Sequence, residues 1–146
     1  MQCNKTIIVL LSLILFYSCS KEKKVASFYY WKTNFKLSES EKQTIKETST
    51  SSIYVRFFDV DKKNDSIVPL GVVSGLENIP DNLEVIPTVF ITNRTLLGAT
   101  KDDINILSEK LSSKINKLAT DNNINFSELQ IDCDWTKKKK KKYFYL

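Results

Sequence analysis

The sequence predicts an α/β domain of about four βα units with parallel strands, which corresponds to the N-terminal half of a (β/α)8 barrel. Strand-like and helix-like segments alternate along the chain, and this order produces parallel strands joined by right-handed crossovers. Two of the strand-like runs end in Asp-x-Asp, at residues 59–61 and 132–134. The carboxyl ends of parallel strands form the face that carries chemistry in such folds, so these aspartates indicate a functional site.

The first 18 residues are predicted to be a lipoprotein signal peptide. Lys5 provides the positively charged N-terminal region of a signal peptide. The apolar run at 7–16 is about half as long as the roughly 20 residues that a transmembrane helix needs. Cys19 follows this run directly and is succeeded by a polar spacer through residue 26. We therefore expect Cys19 to be lipidated. The alternative is an ordinary signal peptide with an incidental cysteine.

The domain at 27–146 is predicted to open with an aromatic strand at 28–31. Ser38 and Glu41 have the spacing of a capping box, which predicts a largely exposed helix through about Thr48. The apolar run at 53–58 predicts the second strand. About twenty residues without helical periodicity follow, and we expect them to form a covering loop or a short β excursion over one rim.

The third strand is predicted at 83–92, although Pro87 within it cannot donate a ladder hydrogen bond. A capping signature at 100–103 begins the clearest helix of the chain, and the fourth strand is predicted at 129–134. The helix carries one apolar stripe, which must cover a sheet. The stripe consists of Ile104, Leu107, Leu111, Ile115 and Leu118.

Six lysines at 137–142 follow Thr136, a predicted helix N-cap. Lysines there would face the positive end of the helix dipole, where acidic residues are favoured. We therefore expect that the original chain continued beyond Leu146 and that the lysine block marks a reading-frame slip or a sequencing error. Four βα units occupy about half of the roughly 250 residues typical of a full barrel. The competing fold is a complete small α/β sheet with a frayed end.

Composition narrows the possible functions. The net charge of +5 comes from Lys5 and the lysine block, without which 15 basic residues face 17 acidic ones, so we expect no nucleic-acid partner. The absence of histidine excludes Ser-His-Asp catalysis and most zinc sites. Three unclustered glycines provide no phosphate-binding loop. No metal or cofactor is expected, and Cys133 is interpreted as a buried structural thiol.

Paired carboxylates are the catalytic candidates. Alternation in the fourth strand places Asp132 and Asp134 on one face, which we expect to be the barrel lumen, and Asp59 is the expected partner from the second strand. Glycoside hydrolysis uses two carboxyl groups roughly 5 to 9.5 Å apart. The alternatives for each aspartate are helix capping or oxygen ligation of a divalent metal.

The substrate-binding candidates are a cation, a further carboxylate and aromatic rings. Strict alternation would place Arg56 and Asp59 on opposite faces, so we expect a turn near Phe58 to redirect Asp59. Arg56 then either pairs with a carboxylate or holds a ligand. Tyr30 and the two tryptophans could stack on sugar rings. The named candidates are Arg56, Asp61, Trp31 and Trp135.

The segments at 30–33, 54–61, 87–93 and 130–136 together resemble a group of Gram-negative envelope lipoproteins whose barrel is related to glycoside hydrolases. The resemblance covers nearly all of the mature chain but only the N-terminal half of such a barrel. It implies a cell-envelope location, on the outer membrane or the periplasmic side, with membrane contact through the lipid anchor. It implies no particular activity.

These observations lead to one main hypothesis and two alternatives. The main hypothesis is a lipid-anchored envelope protein with a glycoside-hydrolase-like barrel, present here as a truncated and inactive fragment of a carbohydrate-active protein. The first alternative is a non-enzymatic lipoprotein that binds glycan or a partner protein through the same rim. The second is a non-functional remnant, whose raw strand edges would favour aggregation.

Overall fold

The structure, a computed structural model, describes residues 26–64 and 66–133. The predictions for the signal peptide, Cys19, Asp134, Trp135 and the lysine block lie outside these residues. The elements are β1 (Ser27–Tyr30), α1 (Glu39–Glu47), β2 (Ser52–Lys63), β3 (Ser66–Leu70), a 3-10 helix (Leu76–Asn78), β4 (Glu84–Ile91), α2 (Lys101–Asp121) and β5 (Gln130–Cys133).

Four of the strands form a parallel sheet in the order β1-β2-β4-β5. The fifth, β3, pairs antiparallel with the distal part of β2. The predicted α/β class and the parallel sheet are therefore confirmed, and the curl of the sheet is consistent with half of a barrel. The apolar residues that the two helices cover lie on the convex face, and the concave face carries mainly polar and aromatic side chains.

Both helices begin at the predicted caps. Ser38 and Thr100 each accept a hydrogen bond from the third helical residue, whose own carboxylate bonds back to the cap, so both are capping boxes. As predicted, α1 has no buried residue. Four residues of the predicted stripe of α2 are buried, namely Ile104, Leu107, Leu111 and Ile115, whereas Leu118 is only partly buried and Ala119 beside it is buried instead. Among the described residues, neither helix combines the length and apolar character needed to cross a bilayer.

The second strand is longer than its apolar run. It was predicted to end at Phe58, but β2 continues to Lys63 because residues 59–63 pair with β3 in a hairpin. Asp59 and Asp61 consequently lie within the strand rather than after it. Asp59 is level with Phe90 of β4, and Phe90 is level with Asp132 of β5. The aspartates therefore still lie towards the carboxyl ends of β4 and β5.

Pro87 lies inside β4, at a position where strand pairing is compatible with a proline. Its register partner on β2 is Val55, whereas the pairing with β5 begins only at Thr88. The missing N–H therefore falls where β4 is paired on one side alone, the edge-like setting in which strand prolines occur. The prediction that this run is a strand despite its proline is confirmed.

Candidate functional site

Strand register arranges the concave face into three layers of side chains. Residues paired across parallel strands point to the same side of a sheet, and barrel interiors are filled by such layers. The aromatic layer consists of Tyr29, Tyr54 and Ile86, the central layer of Arg56, Thr88 and Gln130, and the acidic layer of Asp59, Phe90 and Asp132.

A hydrogen bond across the sheet shows that this face is concave. The Tyr29 hydroxyl donates to Oε1 of Gln130 at 2.8 Å, although β1 and β5 are the two edges of the four-stranded sheet. In a flat sheet these strands would lie about 14 Å apart, and their side chains would stand parallel. The sheet must therefore curl around this face for the two side chains to meet.

A β-bulge in β2 places two charged residues on the same face. Arg56 pairs with Thr88 and Phe58 with the next residue, Val89, so Phe57 is an extra residue in the strand. A bulge of this kind shifts the side-chain alternation by one position. Arg56 and Asp59 therefore both face the concave side, while Phe57 and Phe58 are both buried. Asp59 is redirected as expected, but the predicted turn near Phe58 is wrong, because β2 continues to Lys63 and the bulge redirects the side chain.

The Arg56 guanidinium is held firmly on this face. Its Nε lies 2.7 Å from Oδ1 of Asp59, and its Nη2 donates to Oδ2 of Asp59 at 2.9 Å. Its Nη1 donates to the carbonyl oxygen of Trp31 at 3.2 Å. Gly71 approaches so closely that a Cβ there would lie 2.7 Å from Nη2. The pair therefore consists of one hydrogen bond and one close ionic contact, because the buried Nε makes no hydrogen bond to any described residue, and the charged hydrogen bond fixes the position of the guanidinium.

Asp61 is occupied by structural partners. It accepts hydrogen bonds from the Thr92 hydroxyl at 2.6 Å, from Nε of Arg94 at 3.2 Å and from the Lys62 N–H at 2.9 Å, and Nη2 of Arg94 also pairs with it. The Thr92 hydrogen bond is the main factor that lowers the pKa of Asp61, and Arg94 adds to this effect. Sequence analysis named Asp61 but missed Thr92 and Arg94, whose position just after β4 was the available signal.

Asp132 has a different environment from Asp59. It is half-buried and makes no hydrogen bond or ion pair within the described part of the chain. Asp59 and Asp132 flank Phe90 in the acidic layer, so their backbones lie two strand spacings apart, about 10 Å along the sheet. Curvature brings the side chains on the concave face closer together than this. The separation is compatible with the roughly 5 to 9.5 Å of glycosidase carboxyl pairs.

Three stacked rings line one side of the concave face. Tyr29 stacks on Trp31 with a centroid distance of 5.9 Å and on Tyr54 with a centroid distance of 4.7 Å. Trp31 is 43% exposed and Tyr29 is 50% exposed. Sequence analysis proposed Trp31 but missed Tyr29, which shares a face with it because the two are two residues apart.

Tyr30 lies on the other face of the sheet. It is buried in the core against Phe35, and its hydroxyl donates to the carbonyl oxygens of Asn34 and Lys36. The suggestion that Tyr30 stacks on a sugar is therefore wrong. Alternation along β1, continued to the next residue, explains why Tyr29 and Trp31 face the concave side when Tyr30 does not.

The described residues contain no group of three or more cysteines and acids that could hold a metal ion. A cleft of about 420 Å³ lies between the β2–β3 hairpin and α2, and it contains none of the predicted site residues. Comparison with protein-family models, curated proteins and solved structures finds no match to this chain. The concave face is thus the candidate site on its own geometry.

We predict that Gly71→Ala destabilises the protein more than Gly98→Ala does. Both glycines have positive φ, at 57° and 75°, so alanine at either position introduces backbone strain of about 1 to 2 kcal/mol. Only the Gly71 Cβ would meet the Arg56 guanidinium, since nothing lies within 4 Å of a Cβ at Gly98. Urea unfolding of both variants measures the difference, and equal losses would show that Arg56 is not held beneath Gly71.

Proposed function

We propose that the concave face of this half barrel binds glycan, on a lipid-anchored cell-envelope protein with a glycoside-hydrolase-like barrel. The observation that carries the proposal is the acidic layer, in which Asp59 and Asp132 share one face with an exposed aromatic stack beside them. Aromatic rings provide apolar surface for the C–H faces of sugars, and carboxylates accept hydrogen bonds from their hydroxyls.

The two carboxylates are suited to different tasks in hydrolysis. Asp132, which has no partner among the described residues, is the candidate acid or base. Asp59, which Arg56 orients and neutralises, is the candidate second carboxylate. Glycosidases divide the work between two such groups in unlike environments. In this proposal Arg56 is a positioning residue, because it acts through Asp59.

Binding without turnover is the second candidate function, and one observation favours it. Both oxygens of Asp59 are engaged by Arg56, so Asp59 must give up part of a two-pronged ion pair before it can attack or protonate a substrate. A rigid ion pair of this kind serves recognition without further change. The aromatic stack serves either function equally.

We predict that Asp132→Asn separates the two functions. If the face is catalytic, turnover of a broad panel of chromogenic glycosides falls by about 10²- to 10⁴-fold, because the amide cannot transfer a proton. Glycan affinity changes little in the same variant. Asp102→Asn, which removes a carboxylate from the exposed first turn of α2, is the matched control and leaves both unchanged.

The outcomes are distinct. If the wild-type protein binds glycan but releases no product, the concave face serves recognition alone. Turnover that persists undiminished in Asp132→Asn shows that another group is the acid or base. A wild-type protein that neither binds nor hydrolyses any glycan on the panel contradicts the proposed function itself.

The anchor is tested separately through Cys19. We expect the wild-type protein to carry a metabolically incorporated fatty-acid label and to sediment with membranes, and we expect Cys19→Ser to lose both properties. Cys3→Ser is the control, because its cysteine lies within the predicted signal peptide and its removal leaves the label in place. A Cys19→Ser variant that still sediments entirely with membranes would rule out the anchor.

A further inference from the structure

The central layer contains a buried hydroxyl that lacks a partner. Thr88 lies between Arg56 and Gln130 in the register, it is 0% exposed, and its Oγ1 makes no hydrogen bond within the described part of the chain. A buried polar group without a partner is unfavourable by about 1 to 3 kcal/mol. Such groups are rare in folded proteins, and each calls for an explanation.

The hydrogen bonds of the two central-layer neighbours of Thr88 go to other groups, and Nε of Arg56 is itself buried without a hydrogen-bond partner among the described residues. Arg56 donates to Asp59 and to the Trp31 carbonyl oxygen, and Oε1 of Gln130 accepts from the Tyr29 hydroxyl. Because β2 and β4 lie between the strands that carry Tyr29 and Gln130, this last hydrogen bond passes above the β4 side chains. The Tyr29–Gln130 bridge therefore lies over the central layer, where Thr88 is buried on the concave side of the sheet.

The charges on this face do not favour an anion. The positive charge of Arg56 is balanced by Asp59 at 2.7 Å, and that of Arg94 is balanced by Asp61. Asp132 adds a negative charge that has no partner among the described residues. The sum over these five groups is one negative charge, so a carboxylated or phosphorylated ligand would be repelled.

We propose that the concave face selects a neutral sugar, and that one hydroxyl of this sugar hydrogen-bonds to Oγ1 of Thr88. The ring lies against the aromatic stack and replaces the Tyr29–Gln130 bridge as the cover of the central layer. This inference rests on the proposed glycan function. It adds the class of ligand and the residue that contacts the ligand. It also explains why an unfavourable hydroxyl is retained at the centre of the sheet, since strain of this kind is typical of binding sites.

The isosteric variant Thr88→Val tests the inference because stability and binding should change in opposite directions. Removal of a buried hydroxyl without a partner should raise the melting temperature by about 4 to 8 °C. Loss of the ligand hydrogen bond should weaken the binding of a neutral sugar by about fivefold to tenfold. Thr88→Ser keeps the hydroxyl and should bind within about twofold of the wild type.

Thr95→Val is the matched control. Thr95 is also buried, but its hydroxyl donates to the carbonyl oxygen of Val60 at 3.0 Å. The same chemical change should therefore lower the melting temperature of the Thr95 variant and leave sugar affinity unchanged. The probes are neutral hexasaccharides of glucose, mannose and xylose and the acidic hexamer of galacturonic acid, titrated calorimetrically against each variant.

A Thr88→Val protein with a raised melting temperature and weakened binding of a neutral hexasaccharide supports the inference. A lowered melting temperature, as in the control, would show that the hydroxyl already has a partner and would overturn it. Tighter binding of the galacturonic acid hexamer than of the neutral probes would also overturn it, while the proposed glycan function would stand. If no hexasaccharide binds, the proposed function fails and the inference fails with it.

Discussion

The β-bulge at Phe57 is the constraint on which the rest of this structure depends. Without the extra residue, alternation along β2 would turn Asp59 towards the helices and bury a carboxylate in the apolar core, which is strongly unfavourable. With it, Phe57 and Phe58 both pack into the core, and Asp59 joins Arg56 on the concave face. One inserted residue therefore serves packing on one face and charge pairing on the other.

The convex face of the sheet provides most of the stability, and the concave face carries the candidate site. The convex face buries the aliphatic and aromatic residues that α2 covers, and this burial is the main source of stability. The concave face holds the ion pairs, the aromatic stack and the Thr88 hydroxyl, and the last of these opposes stability because it is buried without a partner in the described part of the chain. In the described sheet β1 and β5 are the edge strands, as they would be in half of a barrel.

Local sequence signals were enough to predict the helices and strands. The arrangement of the candidate site depends on pairing between residues that are far apart in the sequence. The capping boxes at Ser38 and Thr100 and the stripe of α2 could be read from the sequence because each depends on residues within a few positions of one another. The bulge at Phe57 could not, because it exists only in the register with β4. For the same reason the pairing of Asp61 with Arg94, 33 residues apart, was missed. The proposed site residues Asp59, Asp132, Arg56 and Trp31 lie on the concave face, and so do Tyr29 and Thr88, which were not proposed.

A double-mutant cycle on Arg56 and Asp59 tests the central role of the bulge most directly. Urea unfolding of Arg56→Met, Asp59→Asn and the double variant gives their coupling free energy. Because the side chains are only 20% and 26% exposed and joined at two points, we expect a coupling of about 1 to 3 kcal/mol. Effects that add to within about 0.3 kcal/mol would show that the two side chains do not interact, which would contradict the Arg56–Asp59 pair that the bulge brings together.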